Sequence, residues 1–128
     1  MKIEKKSIQF EDERGIISDI LENEPIEYVT IISSNKGAIR GNHYHKESIQ
    51  FLYLKNGKIK VFTKMKDDPV ETATLNSGEL IISPPNEIHA FIALENSKFI
   101  VCTRSPRGGN NYENDTFRVP KITPSNSK

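Results

Sequence analysis

The sequence predicts a single all-β domain. Short segments rich in Ile, Val, Phe, Tyr and Thr recur from end to end, each bounded by turn residues, which is the pattern of a sandwich or barrel. No amphipathic helix of useful length interrupts them. At 128 residues the chain has the size of one ordinary domain, long enough to bury most of the surface its unfolded state exposes.

The strand candidates run in order from Ile3 to Phe10, Gly15 to Leu21, Tyr28 to Ser33, Ala38 to Tyr44, Ile49 to Leu54, Lys58 to Thr63, Glu71 to Leu75, Leu80 to Ser83, Ala90 to Leu94 and Lys98 to Thr103. Between Leu54 and Lys58, Asn56-Gly57 offers two positions tolerant of positive φ, so a tight hairpin is expected there. Asp67-Asp68-Pro69, Asn76-Ser77-Gly78, Pro84-Pro85-Asn86 and Glu95-Asn96-Ser97 favour the remaining turns.

Side chains alternate across a strand, which sends Ile49, Phe51 and Tyr53 one way and Gln50, Leu52 and Leu54 the other. Neither set is strongly polar, and the same holds for His89, Phe91 and Ala93 against Ala90, Ile92 and Leu94. A barrel interior covers one face only, so the excess apolar surface leads us to expect a homodimer. The domain is expected over residues 1–120, with 121–128 a flexible C-terminal tail poor in apolar residues.

Lys and Arg number 18 against 17 Asp and Glu, which leaves no charge excess to collect phosphate backbones, so nucleic acid is not an expected partner. The single cysteine, Cys102, lies in the apolar run Phe99-Ile100-Val101-Cys102 and is read as a small packed hydrophobe. There is no apolar leader pattern at the N-terminus and no membrane-length apolar stretch, so a cytoplasmic protein without a membrane partner is expected.

All three histidines, His43, His45 and His89, fall in two short glycine-punctuated segments. Imidazole serves both metal ligation and proton transfer near neutral pH. His43 and His45 are two apart and would share one face of an extended strand. Gln50 has the opposite parity, so a bend near Lys46-Glu47-Ser48 is needed to turn it inward, whereas Glu47 keeps parity with the histidines.

Gly37, His43-Tyr44-His45, Gln50 and Gly57, followed by Gly78, Pro84, Asn86 and His89, resemble the two motifs of the cupin superfamily. Gln50 stands where the first motif has a glutamate, and Asn86 where the second has a glycine; asparagine is a common substitute at positive φ. The resemblance spans roughly residues 37 to 93 and implies a double-stranded β-helix, the jelly-roll barrel. Within the superfamily the chain resembles nucleotide-sugar 3,4-ketoisomerases and 3,5-epimerases of deoxysugar biosynthesis. Asp12-Glu13-Arg14-Gly15 with Asp19 is similar to their N-terminal nucleotide-contacting segment, and Arg40-Gly41-Asn42-His43 to the segment holding a substrate-binding arginine and the catalytic base. Lys46 and Gln50 match the ketoisomerase pattern, and Tyr112-Glu113-Asn114-Asp115 is similar to its C-terminal end. The epimerases carry a lysine two residues past the glutamine position, which is Leu52 here.

The resemblance implies an isomerase or epimerase of a nucleotide-activated keto-deoxysugar, 3,4-ketoisomerase-like, serving polysaccharide biosynthesis and requiring no cofactor. A neutral imidazole with a pKa near ~6.5 can take the acidified proton from C3 of a 4-keto sugar and return one to C4. His43 or His45 is expected to be that base, the other histidine moving the proton between the two oxygens. Arg40 would hold diphosphate or developing charge, with Arg14, Asp19 and Gln50 as further substrate contacts and Tyr53 or Tyr112 as proton donor.

Two other classes compete. In a metal-dependent cupin enzyme, a sugar-phosphate isomerase or dioxygenase, His43, His45 and His89 with Gln50 or Glu47 would hold Zn, Fe, Ni or Mn; Gln50 is a weaker ligand than a carboxylate. A non-catalytic sugar-binding cupin would bind without proton exchange. Arg107-Gly108-Gly109-Asn110-Asn111 lacks phosphate-loop spacing and is read as a flexible loop.

Overall fold

The structure is a computed structural model that describes residues 1–104 and 114–124. Twelve strands are found among them: β1 (Lys2–Lys5), β2 (Phe10–Asp12), β3 (Gly15–Ile17), β4 (Tyr28–Ser34), β5 (Ile39–His45), β6 (Ile49–Asn56), β7 (Lys58–Met65), β8 (Glu71–Asn76), β9 (Glu79–Ser83), β10 (Glu87–Ala93), β11 (Ser97–Arg104) and β12 (Thr116–Arg118). One five-stranded antiparallel sheet has the order β1-β9-β6-β11-β4, the other β12-β5-β10-β7-β8, and β2 pairs only with β3.

From β4 to β12 the chain changes sheets at each connection except the β7–β8 hairpin, which is the jelly-roll winding. The core lies between the sheets. Leu52, Leu54, Ile81, Phe99 and Val101 from the first sheet meet Ile59, Val61, Leu75, Phe91 and Ala93 from the second. Leu54, Val61 and Leu75 are fully buried; burying one such side chain is worth about 1.5–3 kcal/mol.

This winding corrects the expected hairpin at Asn56-Gly57. β6 pairs with β9 and β11, β7 with β8 and β10, and the two are not partners. Gly57 (φ 100) is a corner between sheets. The chain there passes directly against the β10–β11 connection, where a Cβ would strike Ser97, and Lys58 N–H donates to Ser97 Oγ at 3.2 Å.

The first candidate strand is divided. Lys2–Lys5 joins the first sheet beside β9, and the chain turns away before Phe10 to form the separate β2–β3 hairpin, so Gly15 to Leu21 shortens to Gly15–Ile17. β10 begins earlier than expected, at Glu87, which places His89 inside a strand. β12 was not expected. Of the stretch 121–128, Ile122 N–H donates to Asn42 Oδ1 at 2.9 Å and Thr123 is buried, so the ordered domain runs past residue 120; 125–128 and the Arg107 segment lie outside the described residues.

Among the described residues no helix is long and apolar enough to cross a membrane. Cys102 is half-buried, and that burial pushes its thiol pKa up.

Candidate active site

Alternation along β5 would send Arg40 and His43, three residues apart, to opposite faces. A β-bulge prevents this. His89 faces His43 and Ala90 faces Gly41, leaving Asn42 as the extra residue, so Arg40 pairs with Phe91 on the inner side of β10. Gly41 (φ 97) and Asn42 (φ 58) supply the backbone. Only glycine suits position 41, since a Cβ there would lie 3.0 Å from Ala90 Cα and against the His89 carbonyl.

His43 and His45 therefore face inward with Arg40, and β10 brings His89 against them. The ring centroid of His43 lies 4.9 Å from that of His45 and 4.8 Å from that of His89. Arg40, His43, Gln50 and His89 line one cavity of about 350 Å³, floored by Phe91 and Phe99. His45, 2 % exposed, sits behind its wall.

The bend that brings Gln50 inward is clasped by Asp115. Its carboxylate accepts from the backbone N–H of Lys46 (3.0 Å), Glu47 (3.2 Å) and Ser48 (3.0 Å) and from Ser48 Oγ (3.0 Å). The Asp115 carbonyl lies 3.0 Å from His45 Nδ1. A carbonyl only accepts, so a neutral His45 carries its proton on Nδ1 and has its acceptor lone pair on Nε2. His89 Nδ1 is hydrogen-bonded to Ser83 Oγ at 2.6 Å.

Burial, then the neighbouring His45 and Arg118 charges, lower the His43 pKa to about 4. Burial and the other two histidines hold His89 well below the ordinary value. Both rings are thus neutral at pH 7, the form that accepts a proton or binds a metal. One ring nitrogen from each of the three histidines lies within 4.8 Å of those of the other two.

Other expected site residues fall elsewhere. Arg14 is tied to Asp12 at 2.7 Å on the exposed β2–β3 turn, and Asp19 N–H donates to the Gln9 side chain; neither lines the cavity. Glu47 is exposed in the β5–β6 bend, outside the histidine cluster. Tyr53 pairs with Ile100 and Leu80 on the face of β6 opposite Gln50 and Leu52, so it is not a proton donor to this cavity. Tyr112 lies outside the described residues.

The cupin family model matches residues 24–124. The chain belongs to the cupin family.

This cupin is similar in fold to several solved structures. One is the dTDP-4-dehydrorhamnose 3,5-epimerase from Sulfolobus tokodaii, with 24% identity over 79% of this chain and 68% of that one and a TM-score of 0.68. A sugar 3,4-ketoisomerase from Thermoanaerobacterium thermosaccharolyticum, in complex with TDP, shares 21% identity over 92% and 87%, with a TM-score of 0.75. A dTDP-6-deoxy-D-glucose-3,5-epimerase from Legionella pneumophila, in complex with dTDP-4-keto-L-rhamnose, shares 16% over 94% and 72%, with a TM-score of 0.76. No curated protein matches the sequence.

Two residues of the cupin cavity region were not expected from sequence. Arg118 lines the cavity from β12, directly opposite His43. The sequence singles out Asp115 only as part of a segment similar to the ketoisomerase C-terminus. No spacing rule ties either to residues some seventy positions earlier; only strand pairing across the barrel does so.

Proposed function

We propose that this cupin is an isomerase or epimerase of a nucleotide-activated keto-deoxysugar, of the 3,4-ketoisomerase type, acting in the cytoplasm in polysaccharide biosynthesis. The observation that carries the reading is a neutral, cavity-facing His43 flanked by Arg40, Gln50 and His89. His43 takes the proton from C3 of a 4-keto sugar, giving an enediolate and an imidazolium. The C3 hydroxyl proton passes to the C4 oxygen, and the imidazolium returns its proton to C4, leaving a 3-keto sugar. No atom or electron is left over. His89 lines the cavity and would carry the oxygen-to-oxygen transfer; the His45 ring, its centroid 4.9 Å from that of His43, is not part of the cavity lining.

Leu52 lines the same cavity. An apolar side chain where the similar epimerases carry a lysine favours the ketoisomerase branch over them. Burial above all, then the His45 and Arg118 charges, holds His43 at a pKa of about 4, a weak base in the free protein; an anion bound beside Arg118 would offset that last and smallest contribution and move the value upward.

The test is incubation with a panel of nucleotide-linked 4-keto sugars in heavy water, read by NMR. Deuterium is expected at C3 or C4, and is expected to be lost in His43→Ala. Absence of exchange with every sugar refutes the proposal, and sugar binding without exchange would support a non-catalytic cupin.

The histidine cluster favours a second reading. Metal–nitrogen distances of about 2.0–2.1 Å suit three imidazoles this close after small ring rotations. The Asp115 and Ser83 contacts orient two of them as outer partners do in metal sites. His43, His45 and His89, with Gln50 as a neutral fourth donor, would hold Zn, Fe, Ni or Mn, which would supply a Lewis acid. Stoichiometric metal in the purified protein, with activity lost on chelation, selects this reading.

Val29 and Ile31 on β4 and Phe10, Ile16 and Ile17 on β2 and β3 are exposed. An isolated two-stranded hairpin is marginal in water, so we propose that a second copy of the chain covers these faces. Sedimentation at the monomer mass, unchanged by Ile31→Asp, refutes the dimer.

A further inference from the structure

At one end of the second sheet three strands change character together. Along their inner faces Ile59 and Val61 give way to Thr63 on β7, Leu75 and Ala73 to Glu71 on β8, and Phe91 to His89 and Glu87 on β10. The registers set these ends side by side: Thr63 faces both His89 and Glu71, and Glu87 faces Met65.

A second cavity, of about 410 Å³, opens there and shares no described lining residue with the histidine cavity. Its acids are Asp68, Glu71 and Glu87, and Met65 and Pro69 give it an apolar wall. The charges of those acids are unequally met. The terminal ammonium of Met1, at the head of β1 in the opposite sheet, sits on Glu71 at 3.0 Å. Asp68 is exposed to water. Lys64 gives its ammonium to the Lys66 carbonyl at 2.6 Å.

Glu87 is left over. It is 9 % exposed and Thr63 is 2 % exposed, and neither the carboxylate nor the hydroxyl has a hydrogen-bond partner or a close ion pair among the described residues. Buried polar groups of folded proteins are normally satisfied. A carboxylate and a hydroxyl lining one cavity without partners therefore mark a place for a group that donates.

The spread of the acids says which donor. Among the described residues only the three histidines bring metal-ligating atoms close enough to share one ion, so Asp68, Glu71 and Glu87 do not converge on a metal. The volume and the apolar wall suit a cation with a hydrocarbon body. The cation already seated on one of these acids is an ammonium.

We propose that this cavity binds a small alkylammonium, its –NH3+ donating to the Glu87 carboxylate and the Thr63 hydroxyl and its carbon chain lying along Met65 and Pro69. A hydrogen bond between charged partners is about twice as strong as a neutral one, and the buried position strengthens it further. The site is independent of the nucleotide-sugar reading.

Titration of isotope-labelled protein with butylamine at pH 7, followed by amide NMR shifts, tests the assignment. Saturable shifts centred on Thr63, Glu71 and Glu87 are expected, with a Kd of about 1 mM or tighter. Glu87→Gln is expected to weaken binding by about tenfold or more, and Thr63→Val by about three- to tenfold. Tetramethylammonium, which has no N–H to donate, should bind more weakly than butylamine. Glu13→Gln, on the exposed β2–β3 turn, should bind as the wild type does. Thermal melts and NMR fingerprints matching the wild type establish that the variants are folded; if Glu87→Gln is not, Thr63→Val decides. A wild type that butylamine does not saturate overturns the proposal, as does a folded Glu87→Gln that binds within about twofold of it. Calcium shifting the same residues while butylamine does not also overturns it.

Discussion

Replacing Asp115 by alanine tests whether one carboxylate holds the bend on which the cavity depends. Asp115 and Ser48 are 3 % and 2 % exposed, so the Ser48 N–H and hydroxyl would each lose, in the interior, the carboxylate they donate to. A buried hydrogen bond to a charged group is worth about 1.5–3 kcal/mol. Lys46 and Glu47 are exposed, and their N–H groups regain water, losing about 0.5–1 kcal/mol each. With partial relaxation the sum is about 3–5 kcal/mol, a large share of a typical stability of about 5–15 kcal/mol. Asp115→Asn keeps one acceptor oxygen but loses the charge, and should cost about 1–3 kcal/mol.

The sign with pH follows from the carboxyl. Burial alone would raise the Asp115 pKa, but the hydrogen bonds from Ser48, Glu47 and Lys46 outweigh it and hold the value below the ordinary one. Its stabilisation is therefore complete above the unfolded pKa of about 3.9 and is lost as pH falls through the lower folded value. Urea unfolding of wild type and Asp115→Ala at pH 7 and again near pH 3 measures both effects. A cost below about 1 kcal/mol at pH 7, or a gap that does not narrow in acid, refutes the reasoning.

Two further predictions follow from the site. Gly41→Ala should cost about 1–3 kcal/mol and weaken TDP binding, because its Cβ meets the Ala90 backbone and opening the bulge displaces Arg40; Gly37→Ala, also at positive φ but with open space around it, should cost less and spare binding, as urea midpoints and titration would show. Stability should also fall as pH drops from about 6.5 toward 5: the folded His43 pKa is about 4 and that of His89 is lowered too, so the unfolded chain binds more protons in this window. Each ring contributes at most about 1.4 kcal/mol per pH unit, and a stability flat across the window in wild type, or a slope unchanged in His43→Asn, would contradict it.

How much of the molecule is legible in the sequence differs from feature to feature. Asn86, noted as a stand-in for glycine, has φ 70, because residue type reports backbone conformation directly. The inward pairing of His43 and His45 followed from a period of two, and so did the need for a bend before Gln50. The Asn56-Gly57 corner did not: the local signal marks a reversal of direction, but whether the next strand pairs with the last or crosses to another sheet depends on partners dozens of residues away. Tyr53 was similarly ambiguous until the sheet showed which face of β6 is inward.

Composition and alternation by themselves determined an all-β chain and where its strands break, since these are local properties of side-chain volume, branching and φ preference; that three histidines stand on motif positions came from the resemblance to cupins. The tertiary structure alone decided that a one-residue bulge at Asn42 aims Arg40 with the histidines, that Asp115 clasps the bend and sets the His45 tautomer, and that Arg118 lines the cavity. Each depends on registers between strands far apart in the chain, fixed by the burial of the common core rather than by any neighbouring residue.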